Sequence, residues 1–333
     1  MTRGRVAVAI VAAAGLSAIS QPSHADMGKA PVGPNGYTLS FDGGYLHQDG
    51  PDVTGHGIVV TSGGPEQDTF VSPNDGYFVG GQIGYENGTP YLFDFNRFEV
   101  YLLYGNADDS ARNTAPPLSD IILKNVDGTL LGAGGGLTGR TKVERETWEV
   151  GFRLEDDDVV NATTTVTWAF APFIRSFEED TSTLVTTTLC CEFRRGANVD
   201  ALLYGIAVSA EPETWLTSNV ALVGRVGAGI YGYDADGKFR SSSNGTPDIF
   251  AATISDNDSG VGFRGLLGIG LKVKLSQTAN LEGFAEADYF SNVPTAHLTS
   301  NKIVGLESHV QDDDLWELRT GLRITIGLGS APN

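Results

Sequence analysis

The amino-acid sequence predicts an all-β protein, namely an antiparallel β-barrel that closes on itself and crosses a lipid bilayer. Three observations support this fold: polar and apolar side chains alternate in several segments, the links between these segments are alternately long and short, and the chain begins with an export signal. The alternation is clearest from Leu315 to Leu328. Because successive strand side chains point to opposite sides, one face of this segment suits lipid and the other suits water or ion pairs.

The export signal occupies the first residues of the chain. Arg3 and Arg5 precede an apolar run from Val6 to Ile19, and small residues follow at Ser23 and Ala25. The run is shorter than the roughly 20 residues that a spanning helix needs, so the pattern is typical of a signal peptide. We predict a signal peptide over residues 1–25 and a single barrel domain over residues 26–333.

Ten segments have the alternation expected of transmembrane strands. Most match the roughly 9 to 11 residues that a tilted strand needs to cross a bilayer. The predicted strands are Tyr37 to Gln48, Gly76 to Glu86, Arg97 to Asn106, Glu144 to Glu155, Thr163 to Ser176, Ala201 to Ala210, Val220 to Tyr233, Val261 to Leu275, Leu281 to Phe290 and Leu315 to Leu328.

The links between these strands alternate in length, which favours a membrane barrel over a soluble β-sandwich. Short periplasmic turns and long extracellular loops are typical of outer-membrane barrels. The predicted long loops are Asp49 to Asp75, Ala107 to Val143, Phe177 to Asp200, Asp234 to Gly260 and Ser291 to Asp314. An Asp127-Gly128 dipeptide in the second loop predicts a tight hairpin. A barrel of twelve strands is the alternative if this hairpin joins the wall.

The face opposite the lipid-compatible side chains carries charges of both signs. Opposite charges fall on adjacent strands, where cross-strand pairs form. Two interpretations stay open: a plug of ion pairs, or a charged wall that lines a water path. The residues predicted to face the lumen are Glu99, Glu149, Arg153, Arg225, Arg264, Lys272, Glu282, Glu286, Asp288, Glu317, Arg319 and Arg323.

The composition is strongly acidic. The chain has 22 basic and 41 acidic residues, a formal net charge of −19. Such a surface repels nucleic acid, so no nucleic-acid partner is expected, and it favours cations. Closure of the barrel brings the first strand beside the last and predicts an acidic mouth formed by Asp49, Asp52, Asp312, Asp313 and Asp314. The adjacent Cys190 and Cys191 are either bridged or two ordinary neighbours.

Candidate catalytic residues are few. His47, His56, His297 and His309 fall at the outer rim or in the first and last loops, where imidazole and carboxylate groups could bind a metal or act as an acid and base. Solvated loop side chains explain the same spacing, and no catalytic or nucleotide-binding motif supports a site. We therefore expect no enzymatic activity, no metal and no cofactor.

Over essentially the whole length after the export signal, the chain resembles Gram-negative outer-membrane β-barrel proteins of the porin-like and major outer-membrane protein type. These families end in an assembly signal of a polar residue, a glycine and two apolar or aromatic residues, which Arg319, Gly321, Ile324 and Ile326 match in spacing. Isoleucines replace the usual aromatic residues, and Gly329 to Asn333 extend past the signal. The resemblance implies an outer-membrane location, contact with membrane lipid and lipopolysaccharide, and recognition by the barrel-insertion machinery.

Two functions fit this sequence. The first is a porin-like narrow channel for small hydrophilic solutes or cations, because the predicted lumen is polar and the mouth is acidic. The second is a structural or surface-interaction barrel, similar to an adhesin, with a closed and ion-paired lumen. The sequence leaves open the transported solute or ligand, the openness of the lumen and the oligomeric state.

Overall fold

A computed structural model describes residues 35–50, 52–59, 66–71, 75–87, 95–114, 120–128, 130–135, 138–186, 192–244, 251–299 and 307–328. The predicted signal peptide, Cys190 and Cys191 lie outside these residues. Among the described residues, no helix is long and apolar enough to cross a membrane.

The described residues form fourteen strands. Ten of them build a closed antiparallel barrel in the order β1-β14-β13-β12-β11-β10-β9-β8-β5-β4, and pairing of β1 with β4 closes the ring. The strands are β1 (Asn35–Asp49), β2 (Val53–Val59), β3 (Glu66–Val71), β4 (Asp75–Asn87), β5 (Arg97–Thr114), β6 (Asp120–Lys124), β7 (Leu130–Gly135), β8 (Thr138–Asn161), β9 (Thr164–Thr186), β10 (Glu192–Trp215), β11 (Val220–Ser243), β12 (Ala252–Lys274), β13 (Ala279–His297) and β14 (His309–Gly327).

The ten predicted segments are the ten strands of the wall, but several strands are longer than predicted. β8, β10 and β11 each contain 24 residues, more than twice the number that crosses a bilayer. The predicted loops Phe177 to Asp200 and Asp234 to Gly260 are therefore wrong over most of their length. Above the membrane the outward side chains are polar. The alternation between apolar outward and polar inward side chains, which marks a membrane strand, is therefore lost there although the strand continues.

A belt of exposed apolar side chains surrounds the barrel and defines its position in the bilayer. Aromatic rings border this belt at both edges, where amphipathic rings are favoured. The aromatic residues at the upper edge are Tyr45, Tyr77, Tyr104, Trp148, Tyr204 and Trp316, and those at the lower edge are Tyr37, Tyr85, Phe98, Phe152 and Trp168. The outer faces predicted from the sequence agree with this belt, and the strand extensions lie above it.

Two of the loops contribute a second, four-stranded sheet in the order β3-β2-β6-β7. The predicted hairpin of the second loop is present as β6 and β7, and Gly128 takes a positive φ of 80° in its turn. β6 pairs with β2 and not with the wall. The barrel therefore has ten strands, and the twelve-stranded alternative is wrong.

The upper parts of β13 and β14 leave the wall as a two-stranded ribbon, Val293–His297 with His309–Asp313. A register shift between Phe290 and Val293 begins this departure, and Asn292 within it has a positive φ of 58°. Asparagine is one of the few residues that adopts this conformation readily. The ribbon bends inward, so that the backbone N–H of Ala296 donates to Glu179 Oε1 of β9 at 3.0 Å.

Candidate functional site

The barrel interior contains three layers: ion pairs through the membrane, aromatic rings near the upper edge of the apolar belt, and an apolar core above it. Inward side chains come from alternate positions of each wall strand, as the burial pattern of β11 shows. Each layer is a consequence of which residue types occupy these inward positions at a given height.

The lower ion pairs centre on Arg225 of β11. Its guanidinium lies 2.9 Å from Glu211, 2.6 Å from Glu282 and 3.1 Å from Glu286. Arg323 of β14 lies 3.0 Å from Asp42 on the neighbouring β1. Arg323 also lies 3.7 Å from Glu286, so these contacts together connect five wall strands and brace the barrel from within as well as neutralising its charges.

The upper ion pairs connect the two sides of the barrel. Arg264 of β12 reaches Glu149 of β8 at 2.9 Å and Asp288 of β13 at 3.2 Å. Arg319 lies 2.5 Å from Asp288, and Arg175 of β9 pairs with Glu317 of β14. Because β9 and β14 are not neighbours in the wall, the last pair spans the interior.

All twelve residues predicted to face the lumen take part in these ion pairs, with nitrogen to oxygen distances of 3.9 Å or less. Many of them are nearly inaccessible to water: Asp288 is 0% exposed and Glu149 and Glu317 are 2% exposed. Buried charges require such partners, because removing one member of a buried pair costs about 3–5 kcal/mol.

Two small cavities remain among the charged side chains. Each has a volume of about 140 Å³, and both are lined by Arg153, Glu211, Arg225 and Arg323. The shared lining shows that the cavities lie next to each other. They extend from the Lys272 and Glu213 pair up to Tyr101, whose hydroxyl donates to Glu149 Oε1 at 2.8 Å. Each has room for a few water molecules.

An aromatic layer covers the ion pairs from above. The Arg264 guanidinium lies 5.0 Å from the ring centroids of both Phe173 and Phe290, and the Arg175 guanidinium lies 4.4 Å from that of Phe290. Tyr231 packs against Phe290 at 6.1 Å between centroids. Such cation–π contacts stabilise guanidinium groups that have been removed from water.

Above the aromatic rings, the described interior is an apolar core. Wall residues such as Val143, Phe177, Val199 and Phe239 pack there with residues of the inward-folded segments. The segments contribute Val53 and Val71 from the first loop, Val126 from the second, Ala296 and Val310 from the β13–β14 ribbon, and Leu298 just after β13, all at most 6% exposed.

Polar contacts fix these inward-folded segments in place. Arg145 and Glu179 form a pair at 2.6 Å with both side chains 0% exposed, and Glu179 also accepts the Ala296 N–H. Arg195 of β10 donates to the carbonyl oxygens of Lys124 and Thr299, at 3.3 and 3.0 Å. One wall arginine thereby holds two different loops.

The five residues of the predicted acidic mouth lie at the end of β1, in the first loop and on the upper part of β14. Asp49 pairs with Trp316 across the β1–β14 seam, and Asp52 is exposed beside the first loop. Asp312 is exposed and accepts a hydrogen bond from the hydroxyl of the buried Tyr233 at 2.5 Å. Asp313 lies on the same ribbon as Asp312, and Asp314 follows it on β14.

The described histidine side chains lie in two places. His47 lies 3.0 Å from Asp75, whereas His297 and His309 are cross-strand neighbours with ring centroids 4.8 Å apart. Burial and the neighbouring His309 lower the pKa of His297. The His56 side chain lies outside the described residues. Within the described part of the chain, no three His, Cys, Asp or Glu residues are arranged to hold a metal ion.

Several charged interior residues were not among those predicted to face the lumen. Arg97, Arg145 and Glu155 lie in predicted strands at inward positions, so the alternation could have found them. Glu179 and Glu211 fall in segments that were predicted to be a loop and a turn, so they carried no such signal.

The residues of the predicted assembly signal lie on β14 at the seam that closes the barrel. Gly321 pairs with Gly44 of β1, and a Cβ atom on Gly321 would come within 2.4 Å of the Gly43 carbonyl oxygen. The close approach of the two strands therefore requires glycine here. Ile324 faces outward and is 37% exposed, and Ile326 is partly exposed on the same face.

The closed barrel, the apolar belt bordered by aromatic residues at both edges and the charged interior define an outer-membrane β-barrel protein. Its location in the outer membrane and its contact with membrane lipid follow from the same features. No protein-family model matches the chain, and no curated protein matches it by sequence.

Solved structures with overall similarity are themselves outer-membrane proteins. The outer membrane protease OmpT from Escherichia coli is 7% identical, with 91% of this chain and 100% of that chain covered and a TM-score of 0.46. A Pseudomonas aeruginosa FadL homologue is 9% identical (89% and 91% covered, TM-score 0.27), and Ail of Yersinia pestis is 11% identical (87% and 99% covered, TM-score 0.25). Similarity at this level carries no argument about activity.

Proposed function

We propose that this protein is a closed barrel that acts at the cell surface, where its tall extracellular wall meets a partner. One observation carries the proposal: above the ion pairs, the described interior is packed with aromatic and aliphatic side chains from the wall and from three inward-folded segments. An ion crossing this packed interior would lose its hydration shell, and the buried charged groups there, such as Arg145 and Glu179, are already paired with each other, so the passage is unfavourable. Ten-stranded barrels are also close in size to the eight-stranded barrels whose interiors are filled by side chains.

Conductance in a planar lipid bilayer tests this proposal. We expect purified full-length protein to insert without a steady ionic current, because the apolar core blocks the path. A double variant, Phe290→Ala with Phe173→Ala, thins the aromatic layer, and Phe41→Ala on the lipid face is its matched control. Steady current through the wild-type protein would contradict the closed-barrel proposal.

A narrow channel for small hydrophilic solutes or cations is the second candidate, and the two cavities among the lower ion pairs favour it. In this case the acidic residues Asp312, Asp313 and Asp314 would concentrate cations near the mouth, most strongly in dilute salt. Neutralising all three would then reduce the cation preference measured by reversal potential. An anion-selective current, or an unchanged reversal potential in the triple variant, would reject this mechanism.

The expected partners in assembly are also proposals. Gly321, Ile324 and Ile326 would be read by the barrel-insertion machinery, and lipopolysaccharide would surround the upper part of the apolar belt. No enzymatic activity is proposed for this protein.

A further inference from the structure

The β12 strand has an edge that no described strand covers. β12 pairs with β11 from Ala252 to Val273, but it pairs with β13 only from Arg264 to Lys274. The inward bend of the β13–β14 ribbon explains the difference, because β13 leaves the wall after Phe290. The upper part of β12, from Ala252 to Val261, therefore borders an opening in the extracellular wall among the described residues.

The backbone groups that face this opening can be identified. Phe263 N donates to Ser291 Oγ at 2.9 Å, and the Val261 carbonyl oxygen accepts from Asn292 Nδ2 at 2.9 Å, so odd-numbered residues present their polar groups to the β13 side. Even-numbered residues face β11, as Lys274 shows by donating to Asn219 of the β10–β11 turn. No register shift interrupts the β11–β12 pairing. Hence Thr253, Ser255 and Asn257 present N–H and C=O groups to the opening.

Hydrogen-bonding caps occupy only the lower end of the edge. Ser291 and Asn292 satisfy Phe263 and Val261, and the Asp258 carboxylate accepts the N–H of Ser259 at 2.8 Å. Exposed strand edges are usually blocked by such caps, by proline or by charges, because an open edge pairs readily with another chain. Thr253, Ser255 and Asn257 are neither proline nor charged, and the charges between them, Asp256 and Asp258, are both negative and therefore oppose only an acidic strand.

The charges beside the edge determine which strand fits. Asp256 and Asp258 project to the inner side of β12, where Asp256 Oδ2 accepts the backbone N–H of Val310 at 2.9 Å and keeps its second oxygen for a partner. Asp312 lies close by, since the Tyr233 hydroxyl contacts both Asp312 at 2.5 Å and Asp258 at 3.5 Å. An added strand would place every second side chain against these carboxylates. Lysine or arginine at these positions would complement them.

A second copy of the chain fits less well. Antiparallel pairing of two β12 edges about a two-fold axis at Asn257 would place Asp256 directly opposite Asp258, and the reverse, on the inner side. Like charges directly opposite each other destabilise a sheet. An axis at Ser255 avoids this repulsion but places Asp256 opposite Ile254 and Asp258 opposite Ala252, so the carboxylates gain no basic partner. The charge pattern therefore favours a different partner.

From these observations we infer that the Thr253–Ser259 edge of β12 is a docking site for an extended segment of a partner protein that carries basic residues at alternate positions. The partner segment would add a strand to the extracellular wall, with main-chain hydrogen bonds for affinity and lysine or arginine side chains for specificity. This inference rests on the proposed surface role, whose partner it specifies, and it does not depend on the interior being closed.

Binding of a fluorescent nine-residue peptide of alternating threonine and lysine tests the inference. Fluorescence anisotropy is measured with the full chain in detergent at low salt. We expect saturable binding that weakens at least tenfold when glutamate replaces lysine in the peptide, and also when both Asp256 and Asp258 are changed to Asn. Equal binding of the lysine and glutamate peptides, or no saturable binding of the lysine peptide up to millimolar concentration, would overturn the inference.

A proline at the edge tests the strand addition itself. Asn257→Pro removes an N–H that faces the opening and leaves the β11–β12 hydrogen bonds intact, so we expect binding to fall at least tenfold. Asn257→Thr, which keeps the N–H, is the matched control. Unchanged binding in Asn257→Pro, or an equal loss in Asn257→Thr, would show that the peptide binds elsewhere.

Two further measurements keep the test decisive. A lysine peptide that is N-methylated at alternate residues has the same charge but cannot pair with the edge, so it should not bind even if Asn257→Pro fails to fold. Analytical ultracentrifugation tests for a second copy at the edge. If the wild-type protein is a dimer and Asn257→Pro is a monomer, the occupant is a second copy and the inference is overturned. Conductance is scored separately, so a conducting protein that still binds the peptide rejects only the closed-barrel proposal.

Discussion

At the scale of single residues, the Arg145–Glu179 pair shows how the interior of the extracellular wall is organised. Both side chains are fully buried, and Glu179 connects the wall to the β13–β14 ribbon through Ala296. A buried ion pair contributes little net stability compared with apolar residues of similar size, but it is costly to break. Its role here is to fix the position of the ribbon.

The first prediction follows from this pair. Glu179→Gln removes the carboxylate that neutralises Arg145, so the free energy of unfolding should fall by about 3–5 kcal/mol. Urea-induced unfolding in lipid vesicles measures the change. The double variant Arg145→Met with Glu179→Gln should recover most of the loss, because it leaves no buried charge and keeps a side-chain oxygen to accept the Ala296 N–H. A single variant as stable as the wild-type protein would show that the pair is exposed to water.

At the scale of strands, the outer face of the extracellular wall carries a row of like charges. The register places Glu146, Glu178, Asp200 and Asp236 directly beside one another on β8, β9, β10 and β11. Burial, followed by the neighbouring Asp200 and Asp180, raises the pKa of Glu178 above its usual value. The sequence of each strand gives no indication of this row, because only the register brings the four carboxylates together.

The second prediction concerns this row. A raised pKa in the folded state means that folding is favoured while Glu178 is protonated, and this contribution is lost as the pH rises through the folded-state pKa. Asp200→Asn should therefore stabilise the protein at neutral pH by about 0.2–1 kcal/mol and reduce the pH dependence of unfolding between pH 4 and 6. Ser182→Asn, on the same outer face, is the uncharged control. Destabilisation by Asp200→Asn in the absence of added cations would contradict the repulsion.

At the scale of the whole molecule, closure of the ring is the main source of resistance to unfolding. The β1–β4 and β1–β14 pairings leave no free edge within the membrane, so every backbone group there can be paired. The seam depends on the close approach of Gly44 and Gly321, where a larger residue would meet the opposite backbone.

The third prediction concerns this closure. Unboiled protein in detergent should migrate faster on a gel than boiled protein, because the closed barrel stays compact. Gly321→Val should abolish the fast-migrating form by separating β1 from β14, whereas Gly283→Val should retain it, since a Cβ at Gly283 meets only the Leu322 side chain at 3.7 Å. Identical mobility of boiled and unboiled wild-type protein would count against a closed barrel.

The sequence alone was sufficient to predict the ten wall strands and their lipid-facing sides. These features depend on local alternation, which is visible wherever one face meets lipid and the other does not. The limits of the strands could not be predicted, because above the membrane the lipid no longer imposes an apolar outer face. Which carboxylate pairs with which arginine across the interior was equally inaccessible, since Arg175 and Glu317 are brought together only by ring closure. The inward-folded segments, the apolar core above the ion pairs and the uncovered edge of β12 were decided by the tertiary structure, because they depend on contacts between segments far apart in the chain.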